Sequence, residues 1–212
     1  MLIHRQYKIL HNNEIDNDKL FEFVESKIIG NVLGTTSNSI GGRKTKFNLH
    51  EYDETHQFLD WIARITPMIT DNFCMSRDEP ELQELTCSYN IRGHDQHGGG
   101  LHGFDPRCFE LAEMWGVLYN KGHGVSEHNH FPYPLSFVYY VRTPDGAAPL
   151  ILNDTELQMK EGDIVFFCGD LYHSVENNDC EGRCVLTGNI CYIPPDDDKG
   201  VLSETESYPP IK

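Results

Sequence analysis

From about residue 83 onward the chain is a succession of short β-rich runs, and no helical stripe separates any two of them. "LQELTCSYNI", "CFELAEMWGVLYN", "LSFVYYV", "PLILND", "GDIVFFCG" and "RCVLTGNICYI" are broken only by Gly, Pro and Asp. Parallel strands need long crossover connections, usually helices, so strands this closely spaced must pair antiparallel. The pattern predicts an antiparallel barrel or jelly roll. In the second run Phe109, Leu111, Trp115, Val117 and Tyr119 fall mostly on one parity, opposite Glu110, Ala112 and Asn120. Such alternation predicts a strand with one buried face.

Two helices precede this region. "DNDKLFEFVESKIIG" has Asp16 or Asn17 as cap, a stripe of Leu20, Phe21, Val24 and Ile28, and Gly30 as terminator. "NVLGTTSNSIGGRKT" reads as loop. "DETHQFLDWIARI" gives a second helix, with Phe58, Leu59, Ile62 and Ile65 inward and Pro67 closing it. The 212 residues suffice for one substantial core. The expected organisation is a single domain over 1–212: helical support in 1–82, a β core in 83–192, and an acidic tail in 193–212.

Charge and cysteine usage exclude several classes of function. With 33 acidic and 17 basic residues the net charge is −16, which repels nucleic acid over most of the surface. No apolar run approaches the ~20 residues of a membrane helix, and "MLIHRQYKILHNNEID" has no signal-peptide core. The expected location is the cytoplasm. The seven cysteines are odd in number and form no CxxC pair, so reduced core cysteines are expected.

The chemistry concentrates in "YNKGHGVSEHNHFPYPLSFVYYV". His128 and His130, at i and i+2 on an extended segment, project to one side and can reach one metal ion. His173, in "CGDLYHSVEN", is the candidate third ligand, and Arg183 follows ten residues later. A guanidinium holds a carboxylate through a planar fork. A metal with an arginine deeper in the barrel suits a ligand that chelates at one end and anchors a carboxylate at the other. Each residue also has a plainer reading: eleven histidines yield some His-X-His by chance, and Arg183 could pair with Glu176 or Asp179. The histidines of "RGHDQHGGGLHGFD" (His94, His97, His102) sit among glycines that give no rigid ligand scaffold, so 92–106 reads as a mobile loop over the site mouth. His123 reads as a rim residue.

Residues 119–192 resemble the Fe(II)- and 2-oxoglutarate-dependent oxygenases, especially prolyl-hydroxylase-like members and their uncharacterised phage and bacterial relatives. Tyr119, Gly122 and His128 reproduce the family's lead into the first ligand pair, and His173 with Arg183 reproduce the second half. The resemblance implies a double-stranded β-helix, a jelly-roll or cupin-like barrel. It implies iron held by His128, His130 and His173, with 2-oxoglutarate and O2 as co-substrates. Arg183 would bind the distal carboxylate, with Tyr119, Tyr140 and Thr187 beside it. The implied reaction is hydroxylation of an unactivated C–H bond, with a protein prolyl or other side chain as candidate substrate. Two positions depart from the pattern: His130 stands where most members have Asp or Glu, and Val185 where many have Ser. Two other readings stay open. One is a three-histidine cupin-type dioxygenase that does not use 2-oxoglutarate, drawing on Gly122-X5-His128-X-His130 and His173-X3-Asn177. The other is a non-catalytic metal-binding barrel. Imidazole ligation predicts metal affinity that falls as pH drops through about 6.5.

Overall fold

The computed structural model describes residues 7–28, 38–74 and 109–193. In chain order it contains β1 (Tyr7–His11), helix α1 (Asn17–Lys27), β2 (Ser39–Ile40), β3 (Arg43–Lys44) and helix α2 (His56–Cys74). There follow β4 (Phe109–Tyr119), β5 (Gly124–His128), β6 (Leu135–Arg142), β7 (Leu150–Leu152) and β8 (Thr155–Leu157). β9 (Asp163–Cys168), β10 (His173–Val175) and β11 (Arg183–Tyr192) complete it. A six-stranded sheet in the order β1-β9-β6-β11-β4-β3 faces a five-stranded sheet in the order β2-β5-β10-β7-β8. Every pairing between these strands is antiparallel. The architecture is a mostly β double-stranded β-helix with N-terminal helices.

The larger sheet has two apolar faces. Phe137, Tyr139, Phe166 and Leu186 lie on the side covered by the helices, where Phe58 of α2 meets Phe137 and Tyr139 at ring separations of 5.9 and 4.9 Å. Val24 of α1 approaches so closely that a Cβ on Gly116 would stand 2.5 Å from it, which is why that strand position has no side chain. The opposite parity, Val138, Tyr140, Val185 and Thr187, lines the space between the sheets.

Helix α1 starts as expected, with the Asp16 carboxylate accepting from the Lys19 amide. Helix α2 does not stop at Pro67 but continues to Cys74. An interior proline costs roughly 3 kcal/mol. The stripe Phe58, Ile62, Ile65 continues to Ile69, and all four are buried, so packing of the extra turns offsets that loss. The expected single parity of β4 also fails at one point. The register against β11 passes from Glu113↔Asn189 to Leu111↔Ile190, leaving Ala112 as the extra residue of a bulge. Leu111 therefore turns to the helix side, and Glu113 joins Trp115, Val117 and Tyr119 on the inner side. The run at 82–91, the loop 92–106 with His94, His97 and His102, Gly30, Cys87, Cys108 and the tail beyond Ile193 lie outside the described residues.

Candidate metal centre and anion pocket

β5 and β10 are neighbours, and their register sets His128 directly opposite His173. After β5 the chain turns, and the His130 amide donates to the Gly169 carbonyl at 2.6 Å, bringing the third ring to the same place. The ring centroids lie 4.2 Å (His128–His173), 4.9 Å (His130–His173) and 5.3 Å (His128–His130) apart. One ligand atom from each residue lies within 4.8 Å of the others.

The proton on each ring is fixed by what its Nδ1 meets. His128 Nδ1 is 2.9 Å from the Ser126 carbonyl, and His173 Nδ1 is 3.2 Å from the Leu171 carbonyl. A carbonyl only accepts, so both Nδ1 atoms carry the proton and both Nε2 atoms keep a lone pair. His130 reaches the same state through a side-chain relay. The Glu113 carboxylate accepts from Asn189 Nδ2 at 2.6 Å, which fixes the amide orientation. Asn189 Oδ1 then accepts from His130 Nδ1 at 2.7 Å and from Ser136 Oγ at 2.7 Å. Tethering Nδ1 to an oxygen is how metal-binding histidines are usually oriented. The Ala112 bulge is what turns Glu113 inward to complete the relay.

Burial keeps the three rings neutral. It lowers the pKa of His128, takes His130 to about 4 with help from His128, and takes His173 to about 3 with help from His128 and His130. The fall in metal affinity expected near 6.5 therefore moves to lower pH. Stability of the metal-free protein should carry the same signature. Below 6.5 the unfolded chain takes up protons that the folded cluster refuses, so stability is complete above 6.5 and falls on acidification. Between neutral pH and 5, His130 and His173 should each contribute a loss of about 2 kcal/mol. Denaturant midpoints at the two pH values, compared between wild type and His173→Gln, measure this; equal slopes would contradict it.

At the opposite end of the same cavity stands Arg183, the first residue of β11, 1% exposed and opposite Tyr119 in the register. Its Nη1 donates to Asn178 Oδ1 at 2.9 Å, and its buried Nε has no partner. The rings of Tyr119 and Tyr140 flank it, their centroids 5.7 and 5.6 Å from the guanidinium carbon. Burial raises both phenols, Tyr119 to about 12, with Arg183 pulling each the other way. Neither plainer partner is engaged: Asp179 pairs with Lys121, and Glu176 is exposed. A buried guanidinium with an unpartnered N–H, and no acid on the walls among the described residues, is chemically suited to an external carboxylate. Thr187 and Val185 line the wall between Arg183 and the histidines. The donor sets fit both halves of a metal-chelating dicarboxylate.

Several functional positions carry no distinctive mark in the sequence. Asn178, 2% exposed, orients Arg183, accepts from the Ala148 amide and donates to the His123 carbonyl. Asn189 and Ser136 orient His130, and Lys44 lines the cavity from the edge strand β3. His123 lies in the β4–β5 turn, where its Nδ1 accepts from the Asn120 amide at 3.1 Å. Gly122, with φ +78°, makes that turn possible. Glu127 is exposed and outside the cluster.

Neither a family model nor a curated protein matches the sequence. The fold does match solved structures. One is a viral collagen prolyl hydroxylase from Paramecium bursaria Chlorella virus-1 in complex with 2-oxoglutarate, with TM-score 0.54 and 12% identity, covering 90% of this chain and 98% of that one. Another is a Pseudomonas putida prolyl-4-hydroxylase, with TM-score 0.54 and 14% identity, covering 90% and 94%. A third is a Trichoplax adhaerens prolyl hydroxylase in complex with a hypoxia inducible factor peptide fragment, with TM-score 0.53 and 10% identity, covering 95% and 89%. At such identities the likeness is one of fold: this chain has the double-stranded β-helix of the prolyl hydroxylases.

Proposed function

We propose that the protein is an Fe(II)- and 2-oxoglutarate-dependent oxygenase that hydroxylates a C–H bond. One observation carries the reading. A single cavity has three histidines with Nε2 lone pairs at one end and, at the other, a buried arginine with an unpartnered N–H and no acid beside it among the described residues. In this reading His128, His130 and His173 hold iron, and Arg183 receives the distal carboxylate of 2-oxoglutarate, with Tyr119, Tyr140 and Thr187 around it. Bound iron supplies the oxygen-activating redox chemistry that couples 2-oxoglutarate decarboxylation to hydroxylation. The chain itself orients both groups, keeps three imidazoles unprotonated, and excludes water with Trp115, Val117, Val138 and Phe167.

A cupin-type dioxygenase without 2-oxoglutarate, or a metal barrel without catalysis, need not have a buried arginine at the position of Arg183. The substrate we favour is a side chain of a protein, a prolyl group among the candidates. Phe47 is 50% exposed and its ring lies 4.8 Å from that of Trp115 on the cavity wall, an apolar surface that a peptide could cover. A reducing cytoplasm suits both Fe(II) and the free thiols Cys180, Cys184 and Cys191. No helix among the described residues is long and apolar enough to cross a membrane. The test is formation of succinate from 2-oxoglutarate by the purified chain, dependent on Fe(II) and O2. Oxygen uptake with 2-oxoglutarate left intact would favour the cupin reading.

A further inference from the structure

The cavity holds a second cation that the proposed chemistry leaves unused. Lys44 sits on β3, opposite Val117 in the register, and lines the same cavity as the three histidines. It is half-buried and forms no ion pair with any described residue. Burial lowers its pKa, and its charge disfavours protonation of His128 and His130, so the ammonium stands within electrostatic reach of the cluster. Among the described residues no aspartate or glutamate lines the cavity, although the chain as a whole carries a net charge of −16.

Charge balance then asks for an anion. In the Asp- or Glu-bearing version of such a site, a divalent metal, one carboxylate ligand, the 2-oxoglutarate dianion and one arginine sum to zero. Here His130 replaces the carboxylate and Lys44 is added, while the Glu113 carboxylate behind Asn189 and His130 offsets one of these two changes, leaving one uncompensated positive charge among the described residues of a partly dry cavity. Unpaired charge in such a place is costly, and a bound anion relieves it. Arg183 is already matched by the distal carboxylate of 2-oxoglutarate, whereas Lys44 enters from the open edge of the larger sheet, where β3 is the last strand.

We infer that Lys44 is a specificity-determining residue that binds a carboxylate of the primary substrate, so that the enzyme takes an acidic substrate. This deepens the oxygenase reading and rests on it. A single ammonium without an arginine fork suits one singly charged carboxylate. That carboxylate could belong to a small free acid or to an acidic side chain next to the target residue in a peptide.

Two isosteric pairs separate these sources: N-acetylproline against N-acetylprolinamide, and acetyl-Pro-Glu-amide against acetyl-Pro-Gln-amide. Each is titrated calorimetrically into the full chain without oxygen, with and without Fe(II) and 2-oxoglutarate, in wild type and Lys44→Met. The acidic member of at least one pair should bind wild type about tenfold or more tightly than its neutral partner. Lys44→Met should abolish that preference while changing metal and 2-oxoglutarate affinity less than about twofold. Three results overturn the inference: no acid preference in wild type (absence of any binding at millimolar probe included), a preference that survives Lys44→Met, or a large loss of 2-oxoglutarate affinity in that variant. Failure of wild type to bind 2-oxoglutarate at all would instead refute the oxygenase reading, and the titrations without metal would still test Lys44.

Discussion

Replacing Arg183 by alanine should raise the 2-oxoglutarate concentration needed for half-saturation by roughly 30- to 4,000-fold and leave metal binding intact. The range follows from the ~2–5 kcal/mol lost when one partner of a buried, hydrogen-bonded charge pair is removed, at ~1.4 kcal/mol per tenfold. The geometry puts the effect at the upper end. Arg183 is 1% exposed, flanked by two phenol rings and held by Asn178, so water cannot readily take the place of the missing fork. Metal binding should persist because the histidines lie on β5, on β10 and in the turn after β5, at the far end of the cavity. Arg183→Lys should fall between the two, keeping the charge and losing the planar fork. Calorimetric titration of each variant with 2-oxoglutarate measures the series. An Arg183→Ala protein that binds metal and 2-oxoglutarate like wild type would leave the guanidinium a purely structural role.

The second large effect belongs to His130. If its Nε2 is a ligand, His130→Ala should weaken metal binding as severely as His128→Ala or His173→Ala. If the ring only orients its neighbours, the metal should remain. The relay behind it gives an independent check. Asn189→Leu keeps the volume but removes the oxygen that fixes His130 Nδ1, and outer-shell losses of this kind typically cost about 10- to 100-fold in metal affinity. The double variant Asn189→Asp with Glu113→Gln restores the acceptor toward His130 and a donor–acceptor contact behind it, and should recover much of the loss, which distinguishes orientation of His130 from general damage to the core. Metal dissociation constants from competition with a chelator decide both points.

Much of the architecture was legible because its signals are local. Antiparallel pairing followed from short β runs with no intervening helix, and the runs from Phe109, Leu135, Asp163 and Arg183 became β4, β6, β9 and β11. The missed strands β1, β5, β8 and β10, and β2 and β3 inside the segment read as loop, are short and carry polar residues, so their pairing depends on partners distant in sequence. β5 and β10 carry His128 and His173, whose register brings the two rings together. Pro67 misled because a proline reads as a stop, whereas the buried stripe running on to Ile69 outweighs it. The Ala112 bulge had no sequence mark, and with it the inward turn of Glu113 and the relay to His130 were hidden. The candidate site was legible in its histidines and Arg183, since those residue types are chosen for their chemistry. Asn178, Asn189, Ser136 and Lys44 act through position alone, and one sequence does not reveal position.

The most direct measurement of the central idea, one cavity holding a metal at its histidines and 2-oxoglutarate between that metal and Arg183, is a calorimetric titration. 2-Oxoglutarate is added to the wild-type protein without oxygen, once with Fe(II) bound and once after its removal. The account predicts one molecule bound per chain with the metal present and an affinity many-fold weaker without it, because chelation and the Arg183 contact then no longer act together. Identical affinity in the two titrations, or no binding with iron in place, would contradict it.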